Sequence, residues 1–210
     1  MIGAPLAIGT TLIKGIVMRK KFLSSGLAAL ALAVVGTSSL TAGDDRGRDD
    51  KGHDDRGRDR FRVRAALSGF QEVPAISTQA RGRFTAVVDK AANTITGRLA
   101  YDDLEGTVTQ AHVHFGQMSV NGGVSFFLCS NLGNGPAGTQ ECPMPPGEIT
   151  GVITPDLVVG PGAAPPGPAG QGIEPGAFAE IAKAIREGVA YANVHTSKWP
   201  GGEIRGQLRD

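Results

Sequence analysis

Three of the four histidines in this sequence, His112, His114 and His195, stand in patterns that chemistry can use. In Ala111-His112-Val113-His114-Phe115, strand alternation turns Val113 inward with Ala111 and Phe115, so His112 and His114 share the opposite face. In Tyr191-Ala192-Asn193-Val194-His195, Ala192 and Val194 read as core, which leaves Tyr191, Asn193 and His195 on the other side. Glu203-Ile204-Arg205-Gly206-Gln207-Leu208 repeats the logic: Ile204 and Leu208 point in, and Glu203, Arg205 and Gln207 point out. Two imidazoles at i and i+2 on a strand both reach one ion, and a third from a neighbouring strand completes a three-His set suited to copper or zinc. His112, His114 and His195 are therefore the candidate metal ligands, with Asn193, Glu203 and Arg205 around them. Such a site is expected to weaken below about pH 6, where free imidazole protonates. The competing reading is a solvated polar sheet face whose imidazoles only hydrogen-bond Glu203 or the backbone.

Other chemistries fare worse. Ser119, Ser125 and Ser130 lie near the first histidine pair, but none sits in a nucleophile elbow, and no catalytic set is evident. The glycine-rich stretches lack the strand-then-helix setting of a phosphate loop or dinucleotide fingerprint. Cys129 and Cys142 are the only cysteines. They are too far apart for a Cys-x-x-Cys redox pair and read as a structural disulfide in an exported chain. Closing so short a loop contributes on the order of 3 kcal/mol.

The elements that must position these groups are strands. The chain has 210 residues with 31 Gly and 13 Pro and only 20% charged side chains, a composition that argues for turns and sheet over a helical bundle. Period-2 alternation predicts eight strands, at 61–67, 82–89, 94–101, 109–115, 124–128, 148–154, 190–196 and 203–208. Residues 89–93 read as a short hairpin connection, and 197–202 as the hairpin loop that pairs the last two strands. One short amphipathic helix is expected where Phe178, Ile181, Ala182 and Ile185 fall at i, i+3, i+4 and i+7, with Gly188 as its stop. The fold class is all-β: an antiparallel β-sandwich of immunoglobulin-like or Greek-key type, with the helix lidding an end or edge. Residues 160–176, with five Pro and six Gly and no triplet period, read as an irregular loop.

The amino terminus is an address. Arg19-Lys20-Lys21 precedes an apolar run at 23–35 and small residues at 36–42, the three-part layout of a secretory signal peptide. Met18 reads as the true start. The run is shorter than the roughly 20 residues a bilayer span needs, so no stable membrane span is expected after cleavage. Residues 43–60 then carry Asp44-Asp45-Arg46-Gly47-Arg48-Asp49 and its repeat at 54–59, without an apolar side chain, and read as a disordered spacer. The domain occupies 61–210. The formal charge of +1 is carried by the leader; residues 43–210 hold 17 basic and 20 acidic groups, which excludes a nucleic-acid footprint.

Three blocks are similar to a known family. Leu67-Ser68-Gly69-Phe70-Gln71-Glu72-Val73-Pro74, Ala111-His112-Val113-His114-Phe115-Gly116, and Tyr191-Ala192-Asn193-Val194-His195-Thr196 with residues 201–208 resemble, in family order, the chordin-type (CHRD) domain. The resemblance covers about 62–209 and implies an extracytoplasmic β-sandwich module of exported microbial proteins. Growth-factor binding by chordin is attributed to cysteine-rich modules that this chain lacks. His112-Val113-His114-Phe115-Gly116 is also similar to the copper-ligand strand of copper–zinc superoxide dismutases. That family needs a bridging His and a further zinc cluster, whereas only His195 is left here, so the likeness implies at most a three-His copper site. Two functions stand on this reading: a secreted or periplasmic, non-catalytic module binding a protein, envelope or matrix partner, and a copper or zinc site that is redox-active in its superoxide-dismutase-like form.

Overall fold

Eight antiparallel strands, one α-helix and two single-turn 3-10 helices make up the described residues, and the strands and the α-helix fall where the sequence pattern placed them. The structure is a computed structural model that describes residues 59–161 and 170–210. The segment read as a signal peptide, nearly all of the one read as a spacer, and half of the Pro/Gly-rich loop lie outside the described residues. The strands are β1 (Arg60–Ser68), β2 (Arg81–Asp89), β3 (Thr94–Asp102), β4 (Val108–Phe115), β5 (Gly123–Ser130), β6 (Gly147–Ile153), β7 (Ala190–Thr196) and β8 (Ile204–Gln207), with helix α1 (Phe178–Arg186) before β7. β1 begins at Arg60, the last residue assigned to the spacer.

The strands form one continuous sheet in the order β5-β4-β7-β8-β1-β2-β3-β6, every neighbouring pair antiparallel. The all-β antiparallel architecture with one short helix is thus observed, as a single sheet that curls back on itself. Its two ends, β5 and β6, are stitched by Gln140, whose Nε2 donates to Leu128 O at 3.3 Å and Thr150 O at 3.1 Å. The result is an almost closed barrel. Closure leaves few free strand edges and so guards against edge-to-edge association.

Alternation fills the interior. β1 buries Phe61, Val63, Ala65 and Leu67 and exposes Arg60, Arg62 and Arg64. Phe84, Ala86 and Val88 of β2 and Ile95, Leu99 and Tyr101 of β3 continue the core, which Phe126 of β5 joins. Each fully buried Leu, Ile or Phe contributes roughly 1.5–3 kcal/mol. Helix α1 adds its apolar stripe, Phe178, Ile181, Ala182 and Ile185, to the same core and ends before Gly188, which takes φ +69°. The hairpin at 89–93 turns on Asn93 at φ 52°, with Asp89 Oδ1 accepting from Ala92 N. Cys129 and Cys142 are disulfide-bonded, and Asn131 fastens the same loop through both its amide atoms to Cys142 backbone.

Candidate metal centre

β4 and β7 lie side by side, and their register does the first half of the positioning. His112 faces Asn193 across the ladder, His114 faces Tyr191, and His195 sits one step beyond, opposite Gln110. Residues of one sheet face thereby converge: ligand-capable nitrogens of His112, His114 and His195 all lie within 4.8 Å of one another. His112 Nδ1 stands 3.2 Å from His195 Nε2. Two nitrogens bound to one tetrahedral ion at 2.0–2.1 Å stand about 3.3 Å apart. That pair is already at ligand spacing, and the His114 ligand atom lies within 4.8 Å of both.

The face is not solvated. His112, His114 and His195 are 2%, 8% and 7% exposed, so the reading of a water-covered polar surface fails. All seven residues of β7 and all four of β8 are buried, because loops cover this face of the sheet. Arg205 of β8 holds one of them down, donating to Asn121 Oδ1 (3.2 Å), Gln117 O (3.1 Å) and Val120 O (2.8 Å). Gln207 Nε2 adds Gly116 O, and Asn121 Nδ2 ties the same loop to Val73 O in the loop after β1.

Backbone carbonyls set the tautomers. His114 Nδ1 lies 2.9 Å from Gly122 O and His195 Nδ1 lies 2.9 Å from Pro200 O. A carbonyl can only accept, so each Nδ1 carries the hydrogen and each Nε2 presents a lone pair. Gly122 is required for this. A Cβ there would run into the carbonyl of Phe115, and the loop could not bring its own carbonyl against His114. The Nε2 atoms of His112 and His114 are buried without a hydrogen-bond partner, an arrangement that calls for an explanation. Phe127 seats the His112 ring edge-to-face at 4.5 Å, and Tyr191 stacks parallel on His114 at 4.7 Å.

Burial keeps the cluster neutral. It pushes His112 down to about 2, helped by the charge it would share with His195 and His114, and pushes His114 down to about 4 against the hydrogen bond to Gly122. His195 is lowered too, mainly by burial. Protons therefore compete for these nitrogens in the folded domain only at lower pH than the pH 6 expected of free imidazole. The same burial raises Glu72 to about 7, opposed chiefly by the Arg205 charge.

A family model for the CHRD domain matches residues 63–208. The chain belongs to the CHRD-domain family. The match runs from β1 to the residue after β8, so the whole histidine cluster lies inside the CHRD domain. None of the curated proteins matches the chain, and none of the solved structures does.

Within this CHRD domain the residues named from sequence divide into three groups. His112, His114, His195 and Asn193 come together. Arg205 stands one layer behind, its guanidinium 3.3 Å over the Tyr191 ring that stacks on His114. Glu203 serves elsewhere: it is fully buried and accepts from Thr78 Oγ1, Glu105 N and Thr196 Oγ1, which fastens β7 to the loops after β1 and β3. Sequence reasoning missed Glu72, a buried carboxyl beside Asn193 and Gly202. Its one sequence signal is its place in the Leu67–Pro74 block, since no alternation governs a loop residue.

Proposed function

We propose that this CHRD domain is an exported module that holds one copper or zinc ion on His112, His114 and His195. The observation that carries the reading is the set of buried, neutral imidazoles whose Nδ1 hydrogens, in two of the three, are taken up by Gly122 and Pro200 carbonyls. Deprotonated nitrogens facing one another in a buried cluster are what a bound cation requires, and an ion held between His112 Nδ1, His195 Nε2 and His114 Nε2 would supply the partner that His114 Nε2 lacks. The donor set is imidazole alone, because both cysteines are committed to the disulfide; nitrogen donors of this kind suit copper and zinc over calcium or magnesium. The near-complete burial of the rings favours holding an ion over turning over a substrate, so the module is read as non-catalytic, with copper redox cycling as the second reading.

Secretion or periplasmic residence fits this picture. The leader layout, the charged spacer and the disulfide all suit an oxidising compartment. There the domain would serve an envelope or matrix assembly, the ion stabilising the face on which β4, β7 and β8 meet the loops.

The test is elemental analysis of the purified chain after dialysis against copper or zinc, beside a His112→Ala/His195→Ala variant. One equivalent of metal in the parent and none in the variant is the expected result. No metal in the parent under replete conditions ends the proposal.

A further inference from the structure

The three imidazoles do not complete the arrangement, and the atom beside them has no business there unless a cation joins it. His195 Nδ1 donates to Pro200 O, so its Nε2 is a bare lone pair. Asn193 Oδ1 lies 3.1 Å from that Nε2. An amide oxygen is an acceptor only, and two acceptors at this distance repel. Rotating the amide by half a turn would bring Nδ2 to His195, but it would also turn the oxygen toward the Glu72 carboxyl. The observed amide keeps its nitrogen on the Glu72 side: a Cβ at Gly202 would meet both Glu72 Oε1 and Asn193 Nδ2. Asn193 also interacts with Glu72 in the sense that favours the carboxylate. Glu72 is 93% buried by its 7% exposure, and its Oε1 has no partner.

The spacings agree with a common centre. His195 Nε2 stands 3.2 Å from His112 Nδ1 and 3.1 Å from Asn193 Oδ1. Both are close to the roughly 3.3 Å between ligands of one tetrahedral ion with bonds near 2.0–2.1 Å. Resting on the three-imidazole reading, we propose that Asn193 Oδ1 is the fourth donor of the site and that Glu72 is the positioning residue that keeps the amide oxygen turned toward the ion. A neutral oxygen beside three nitrogens is a harder donor set than imidazole alone. It selects Zn(II) or Cu(II) over Cu(I).

The experiment uses the full chain, stripped of metal, with zinc chloride or copper(II) chloride as the probe. In protein labelled with side-chain nitrogen-15 asparagine, one equivalent of zinc should move the Asn193 amide signals to a new position, while Asn131 and Asn134, distant in the disulfide loop, stay in place. Asn193→Ala should lower zinc affinity by about 10–100-fold and change the Cu(II) electron paramagnetic resonance spectrum, whereas Asn193→Asp retains an oxygen donor and retains binding. Glu72→Gln should weaken zinc binding in the same direction, because a glutamine amide no longer dictates which end of Asn193 faces it. If wild-type protein binds zinc with its Asn193 signals unmoved, or Asn193→Ala keeps both affinity and Cu(II) spectrum, the fourth donor is refuted and the three-imidazole site survives. If wild-type protein takes up neither ion, the three-imidazole site falls and the fourth donor with it. The wild-type signal decides the matter even where Asn193→Ala does not fold.

Discussion

Acid should destabilise the metal-free domain, and the size of the effect can be worked from the buried groups. His112 and His114 titrate near 6.5 in an unfolded chain but are held down to about 2 and about 4 in the folded one. The unfolded state therefore takes up protons first, and the stability these rings confer is complete above pH 6.5 and lost as pH falls toward their folded values. At 1.36 kcal/mol per pH unit, each costs about 1.9 kcal/mol between pH 7 and pH 5, or about 4 kcal/mol together. His195 shifts the same way and adds to the loss. Glu72 works in the opposite sense. Its folded value is raised to about 7 from 4.5, so the folded state binds its proton first and regains about 2 kcal/mol over the same interval. The balance is a net loss of about 2 kcal/mol plus the contribution of His195, a sizeable share of the 5–15 kcal/mol typical of a domain. Urea titrations followed by circular dichroism in the presence of a chelator, at pH 7, 6 and 5, measure it directly. His114→Gln should reduce the proton uptake on unfolding by close to one between pH 6 and 5. Stability that is flat or rises from pH 7 to pH 5 in the parent would refute the claim that the rings are buried and neutral.

Other perturbations bear on the frame around the site. Glu203→Ala should cost about 3–5 kcal/mol in urea unfolding, because it strands the donors of Thr78, Glu105 and Thr196 in a buried place. Replacing Cys129 and Cys142 by Ala should lower stability by about 3 kcal/mol from the 13-residue separation they close, read as the shift in urea midpoint against the disulfide-bonded parent. Gln140→Ala should cost about 1 kcal/mol and speed amide hydrogen exchange in β5 and β6 while leaving β1 and β2 unchanged, since it removes the stitch at Leu128 and Thr150. Gly202→Ala, at φ +124° and against Glu72 and Asn193, should lower zinc affinity and thermal midpoint together; an unchanged affinity would argue against any part for Glu72 in the site.

The strands were legible because one of their faces is apolar. Phe61, Val63 and Ala65 alternate with arginines in β1, the same rhythm located β2 and β3 within a residue or two, and the i, i+3, i+4, i+7 spacing located α1. Alternation also sorted Ala192 and Val194 from Asn193 and His195 correctly, and so put the histidines on one face. It said nothing about strand order. That β4 lies beside β7 depends on connections that cross the sheet, from β3 to β4 and from β6 to β7, and no local pattern encodes them. Nor could it show that the second face is covered. A polar residue on a strand reads as solvent-facing, yet Arg205 and Gln207 are 2% and 7% exposed because their hydrogen bonds are made to loop groups instead of water, and Asn193 is 3% exposed because it packs among the histidines and Glu72.

This division of labour has a consequence for how the site can vary. Strands β4 and β7 supply the donor atoms, but loop carbonyls, Gly122 O and Pro200 O, decide which nitrogen each ring presents. The loop carrying Gly122 is itself held by Arg205, whose guanidinium also lies over Tyr191 and through it against His114. A change at Arg205 or Gly122 therefore leaves the ladder and its hydrophobic interior intact while freeing His114 to turn and exposing the cluster to water. Affinity for the ion should then fall before stability of the sheet does. In a purely structural polar cluster the two would decline together, because the hydrogen bonds lost would be the whole of its contribution.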